Sequence, residues 1–335
     1  MCTCVAWDPD TSHDGPGAQV LRIIDSFSAA KYFNLGFVYI PIAHFERNPG
    51  DGLKEDQKAQ FLFDLDKFLN LDRHSCTNLH EKKIIKLSRW HVLPSFTRWY
   101  FFFRRILNWI RQRNELMIIP NIYMLTHKNP DIRRTFVLTR VKKQKNQSKK
   151  NPLHIHVHIR RAFIDEIFFD RVIPTSWYLS ILITIQNLFE HNNVESIVTL
   201  HTDVSKQNEK WDASDISERT EEYISENGGK FKREIPVKVN YEDFKETMSA
   251  INNLRVVTNI NPIEAWDLMA EADILILGKS TFSYVGALLC NPRIVISPQG
   301  FLGILSNWFS SNTKGELDSA TIESLQELID SRIKF

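Results

Sequence analysis

The sequence predicts an α/β protein whose C-terminal half is a doubly wound parallel sheet. Two strand patterns and their setting carry that reading. Residues 153–159, Leu-His-Ile-His-Val-His-Ile, alternate aliphatic and polar side chains with the two-residue period of a β-strand. Residues 272–277, Ala-Asp-Ile-Leu-Ile-Leu, form instead a near-continuous apolar run, as expected of a parallel strand covered on both faces. Around these strands lie segments with apolar residues at helical spacing, so strand and helix take turns along the chain.

The N-terminal part opens on a turn at Gly15-Pro16-Gly17. A helix follows with Val20, Ile23, Ile24 and Phe27 on one face. Leu35-Gly36 is expected to close that helix, and Phe37-Val38-Tyr39-Ile40 reads as a short buried strand. Turn, helix and strand make half of a βαβ unit.

Residues 93–110 are rich in aromatics but interrupted by Arg98, Arg104 and Arg105, which rules out a comfortable membrane span. Such a segment either packs on its domain with arginine stems reaching solvent, or lies in the plane of a membrane surface. The packed form is the expected one, although a core face and a membrane face look alike in one sequence.

Arg140 to Lys150 is a basic polar run without periodicity. It divides the chain into an N-terminal domain at 1–140, a linker at 141–151 and a C-terminal domain at 152–335. No aromatic residue interleaves with its lysines, so nucleic acid is not the expected partner.

Beyond the linker, strand 153–159 leads to a helix over Trp177–Glu190 and a strand over Ser196–Leu200 that runs into His201-Thr202-Asp203. An acidic segment, Asp212–Glu226, ends in Gly228-Gly229 as a helix and its cap would. A helix is expected over Pro262–Glu271, then strand 272–277, a turn at Gly278–Ser283, a helix over Tyr284–Leu289 and a strand over Arg293–Ile296.

At 335 residues, with 43% hydrophobic and 24% charged residues, the composition is that of a folded globular chain. Net charge is only +2, so charge acts locally. Cys2, Cys4, Cys76 and Cys290 are too few and scattered for a disulfide framework, which fits a reducing compartment. With no signal-like start either, a cytoplasmic protein is expected, with membrane-peripheral contact through 93–110 as the variant.

Two places point to anion chemistry. A strand that ends in Arg160-Arg161 delivers two permanent cations to the carboxyl edge of a sheet, where open α/β sheets bind ligands. Guanidinium groups fork onto phosphate oxygens. Solvent-facing charges are an equally common explanation of such a pair. Gly278–Ser283 joins a buried strand to a helix, so its amides and hydroxyls gather at a helix N-terminus. It lacks the full Walker spacing, and plain helix capping by Ser280 or Thr281 is the competing explanation. His154, His156 and His158 share one strand face and invite zinc, but no carboxylate or thiolate stands at metal-site spacing, so no metal is expected.

These residues carry a resemblance. His158-Ile159-Arg160-Arg161 resembles the His-x-Arg-Arg-x-Asp motif of the GDP-fucose-dependent α1,2- and α1,6-fucosyltransferases and the rhizobial chitin-oligosaccharide fucosyltransferase. Ala272–Tyr284 is similar to their later strand with its Ser-Ser/Thr-Phe-Ser segment. Gly15-Pro16-Gly17-Ala18-Gln19 resembles their early Gly-x-Gly-x-Gln segment. All three occur in the family's order over about 270 residues.

The resemblance implies a GT-B fold, two Rossmann-like domains facing a cleft, and an inverting sugar transfer that uses neither metal nor cofactor beyond the nucleotide-sugar donor. It implies that Arg160 clamps the donor diphosphate, supported by Arg161 and His158. Asp203, Ser280, Thr281, Phe282 and Ser283 would contact the nucleotide or its phosphates. Gly15, Gly17, Gln19 and His44 would lie on the side of the glycan acceptor. The general base is open: Asp14 and Asp165 are the first candidates, with His44 and Glu46 behind them. Phe163 occupies the position of the motif's Asp, so a different donor, such as a xylosyl nucleotide, competes with GDP-fucose. A nucleotide- or glycan-binding protein without turnover is the alternative from another class.

Overall fold

A computed structural model describes residues 3–9, 15–43, 55–70, 75, 83–86, 94–110, 115–119, 130–139, 152–160, 173–202, 248–258 and 260–333. The chain falls into two compact units, Met1–Val141 and Lys142–Phe335.

The first unit contains β1 (Thr3–Trp7), α1 (Pro16–Tyr32), β2 (Gly36–Phe37), α2 (Glu55–Leu69), β3 (Lys83–Lys86), α3 (Pro94–Ile110) and β4 (Glu115–Ile119). A single 3₁₀ turn at Pro130–Arg133 then leads into α4 (Arg134–Thr139). Its four strands are all parallel, in the order β2-β1-β4-β3. Strand β1 lies inside this sheet and buries all five of its residues, so its sequence shows no alternation.

Pro16 opens α1, where its missing N–H costs nothing, and the helix buries Val20, Ile23, Ile24 and Phe27. Leu35-Gly36 does not close it. Asn34 takes the left-handed conformation (φ 54°), and Leu35 N–H reaches back to the Ala30 carbonyl at 2.7 Å, which frees Gly36 for β2. Inside this unit Arg133, fully buried, forks onto Asp25 of α1 at 2.7 and 3.3 Å.

The second unit contains β5 (Leu153–Ile159), α5 (Thr175–His191), β6 (Ser196–Thr202), β7 (Leu254–Thr258), α6 (Pro262–Met269), β8 (Ile274–Ile276), α7 (Thr281–Cys290), β9 (Ile294–Pro298), β10 (Phe309–Ser311) and α8 (Ser319–Ile333). Six parallel strands form one sheet in the order β10-β9-β8-β5-β6-β7. Both units are thus Rossmann-like α/β layers. In the second, Ile155, Val157 and Ile159 of β5 pack with Trp177, Ile181 and Ile185 of α5 and with Leu325 and Ile329 of α8.

The sequence pattern is amended in several places. The alternation of β5 implied one polar face, yet His156 and His158 are as buried as the aliphatics between them, because both faces of the strand are covered. Strand β6 runs on through His201 and Thr202. Helix α7 starts at Thr281 rather than Tyr284. The acidic segment 212–226 and the linker 141–151 lie outside the described residues.

Asp273, 1% exposed, fastens the amino edge of this sheet. It accepts the backbone N–H of His154 at 3.1 Å and pairs with Arg332 of α8 at 3.4 Å. Among the described residues no helix is long and apolar enough to cross a membrane.

Candidate functional site

Strand order in the second unit reverses once. From β5 the chain moves outward through β6 to β7, then returns to lay β8 against the other side of β5 before moving on to β9 and β10. Crevices at such reversals, outside the carboxyl ends of the strands, are where open α/β sheets take ligands. Arg160 is the residue that leaves β5 at this point, and Gly278–Ser283 leaves β8 beside it. The arginine and the small-residue turn are 118 to 123 positions apart in sequence; the sheet makes them neighbours.

Ser280 is the N-cap of α7. Its backbone is extended (φ −138°, ψ 128°), and its hydroxyl accepts the Phe282 N–H at 3.2 Å. Ser283, fully buried, turns its hydroxyl inward and donates to the carbonyls of Gly278 and Ser280 at 3.3 and 3.1 Å. It therefore stiffens the turn from beneath rather than facing a ligand. Thr281 is half-buried at the first position of the helix. Phe282 stacks on Trp266 with ring centroids 5.1 Å apart, and its carbonyl accepts the Trp266 indole N–H at 3.1 Å.

His158 lies beneath this turn at the end of β5, 5% exposed, with Phe282 on one side at 5.4 Å. A Cβ on Gly278 would fall 2.8 Å from the His158 carbonyl and 3.4 Å from its Nδ1, so the approach of the two strand ends depends on that glycine. Nδ1 of His158 is buried without a hydrogen-bond partner. Burial, then the charges of His201 and Arg160, push its pKa down to about 3, so the ring is neutral at neutral pH.

Across the sheet, His156 shares a hydrogen bond of 2.8 Å with His201 of β6. His201 is held down at about 4, chiefly by burial and then by Arg255. Each ring thus spends one nitrogen on the other. No group of three or more metal-ligating side chains with metal-site geometry stands among the described residues.

In the first unit, Gly15 caps α1 at the carboxyl side of β1, with Gly17 and Gln19 buried in the first turns of the helix. Gly15 has an extended backbone (φ −69°, ψ 173°), and a Cβ there would meet nothing within 4 Å, so the conformation does not demand glycine. Asp14, His44, Glu46, Arg161, Phe163, Asp165 and Asp203 lie outside the described residues.

Sequence reasoning alone had no signal for the Trp266–Phe282 stack or the His156–His201 pair. Each joins residues whose proximity depends on the finished sheet. A polar groove at the opposite, amino edge is a poorer candidate. Gln186 Nε2 donates to the Asn252 carbonyl at 3.0 Å and Asn252 Nδ2 to Glu190 at 3.0 Å, so its polar groups clamp one another.

No family profile and no curated protein matches this chain. Among solved structures it is similar to E. coli heptosyltransferase WaaC with ADP, at 11% identity over 99% of this chain and 100% of that one, with a TM-score of 0.38. It is also similar to the apo structure of OtsA, at 12% identity over 100% and 96% of the two chains, with a TM-score of 0.30. A third is an E. coli protein described as trehalose-6-phosphate bound with UDP-2-fluoro glucose, at 13% identity over 99% and 95%, with a TM-score of 0.31. Likeness at this level bears on neither activity nor substrate.

Proposed function

We propose that this protein is a glycosyltransferase that takes a sugar from a nucleotide-sugar donor, fucose from GDP-fucose first among them, and inverts it onto a glycan acceptor without a metal. One observation carries the reading. The cation Arg160 and the capped N-terminus of α7 stand at adjacent strand ends on the two sides of the sheet's reversal point. A diphosphate needs that combination: a permanent cation and a set of aligned backbone N–H groups with the positive end of a helix dipole.

In the proposed reaction an acceptor oxygen attacks the anomeric carbon opposite the diphosphate. The bond from that carbon to the diphosphate oxygen breaks, and its electron pair leaves with the nucleoside diphosphate. Negative charge thus grows on phosphate in the transition state, where Arg160 and the positive end of the helix would offset it. His158, neutral and packed under Gly278, positions both strand ends without adding charge of its own. Asp165 and Asp14 remain the candidates for taking the acceptor's proton, and the three motif likenesses supply the preference for GDP-fucose.

Calorimetric titration of the full chain with GDP, UDP and ADP tests this. A nucleoside diphosphate should bind, and Arg160→Ala should weaken it by tenfold or more, since a hydrogen bond to a charged group contributes about 1.5–3 kcal/mol. If no diphosphate binds, or Arg160→Ala binds as the wild type does, the reading fails. Turnover of GDP-fucose but not of a xylosyl nucleotide would settle the donor.

A further inference from the structure

Helix α3 carries two faces with different fates. Phe101 and Asn108, 2% and 3% exposed, turn toward the sheet, and Asn108 Nδ2 donates to Thr3 of β1 at 3.0 Å and to Glu115 of β4 at 2.8 Å. Arg104 reaches the same Glu115 at 3.4 Å. These contacts fix the rotation of the helix about its axis. The opposite face is turned outward: Phe102 and Phe103 are 52% and 56% exposed, and Ile106 and Leu107 are each 38% exposed.

At 3.6 residues per turn, the outward apolar residues sweep an arc of about 140° from Phe102 to Leu107. Arg105, exposed, lies about 60° beyond the Phe102 edge, and Arg104 about 60° beyond the Leu107 edge. An apolar strip is therefore bordered on one side by the exposed guanidinium of Arg105, while Arg104 on the other is paired with Glu115. No acidic residue occurs anywhere in the helix. Soluble surfaces scatter single apolar residues; four on one helix face are a patch that calls for an occupant.

We propose that α3 docks this protein in the plane of an anionic lipid surface, with Phe102, Phe103, Ile106 and Leu107 in the acyl boundary and Arg105 at headgroup level. Charge complementarity selects that occupant. Lipid phosphates supply Arg105 with the counter-charge that the helix lacks, while the apolar strip beside it enters the acyl boundary. A second copy of this helix would bring Arg105 no acidic partner, since the helix carries none. At 17 residues the helix is about 25 Å long, too short and too charged to span a bilayer. The inference is independent of the donor site, which lies in the other unit.

Co-sedimentation of the full chain with vesicles is the test. Vesicles of phosphatidylcholine mixed with phosphatidylglycerol should pellet the protein, phosphatidylcholine alone should pellet it at least tenfold less, and added salt should weaken the first. Phe102→Ser/Phe103→Ser, made on the exposed face and checked for an unchanged unfolding midpoint, should reduce binding at least tenfold. Arg105→Glu should reduce binding to the anionic vesicles only. The proposal is overturned if the wild type stays in the supernatant with anionic vesicles, or if the double variant pellets undiminished. It is equally overturned if sedimentation velocity shows a dimer that the double variant abolishes while vesicles bind neither form.

Discussion

His156 on β5 and His201 on β6 share a diagonal hydrogen bond of 2.8 Å inside a parallel sheet whose register sets His201 opposite His158 of the candidate site. With His158 they put imidazole where aliphatic side chains would ordinarily sit. Burial holds His158 and His201 neutral in the folded protein, and that makes the sheet sensitive to acid.

For His158 and His201 the folded values, about 3 and about 4, lie below the unfolded value of 6.5. Below about pH 6.5 the unfolded chain therefore binds protons that the folded chain refuses. The stabilising contribution is complete above that pH and is lost as pH falls toward the folded values. Urea unfolding at pH 7 and pH 5 should differ by about 2 kcal/mol for each ring, with the protein weaker at pH 5. His201→Gln should flatten the profile by about half. Equal stability at the two pH values would contradict the burial of neutral imidazoles.

Asp25→Ala should be among the most damaging single changes in the first unit. It strands Arg133, which is fully buried, without its bidentate partner. Loss of one member of a buried pair costs about 3–5 kcal/mol, whereas Asp25→Leu with Arg133→Met should recover much of it, since desolvation of both charges is then avoided. Denaturant midpoints of the single and double variants give the comparison. A double variant no better than Asp25→Ala would count against it.

Glycines at two turns should respond differently to alanine. Gly315 has φ 78°, and a Cβ there would collide with the Trp177 carbonyl. Gly315→Ala should lower the thermal midpoint by an amount equivalent to at least about 1–2 kcal/mol, the left-handed cost alone. Gly15→Ala should change it by no more than about 1 kcal/mol, the usual size of an N-cap preference. If the two variants melt alike, the distinction is wrong.

Ser280→Ala should cost about 1 kcal/mol through the lost cap on Phe282 N–H, and Ser280→Gly only a few tenths. Measured by thermal unfolding, a Ser280→Ala variant as stable as the wild type would show that the cap is not holding the start of α7.

Much of the second unit was legible because its strands announce themselves locally. The alternation in Leu153–Ile159 and the apolar run ending in Leu277 both mark real strands. Strands β1, Thr-Cys-Val-Ala-Trp, and β10, Phe-Ser-Ser, were not legible, being five and three residues long without a repeating pattern. The start of α7 was misplaced because Ser280-Thr281-Phe282-Ser283 has the composition of a loop; only the cap geometry shows where the helix begins. Asn34 terminates α1 without a distinctive sequence signal, because glycine, two residues later, is the commoner left-handed residue. Of the site, the chemistry of Arg160 and Ser280 could be read from the sequence, but their adjacency could not. It follows from β5 pairing with β8, which no local pattern encodes.

That pairing also orders events during synthesis. The His154 N–H to Asp273 bond beside the β5–β8 ladder spans 119 positions, so β5 leaves the ribosome long before the strand that will cover its inner edge. At about 5–20 residues per second, β5 waits roughly ten seconds with one edge bare. An open edge of that kind is a template for pairing with other chains. The reversal that places the arginine beside the helix end therefore exposes the nascent chain to aggregation, which makes the second unit a candidate client for chaperones.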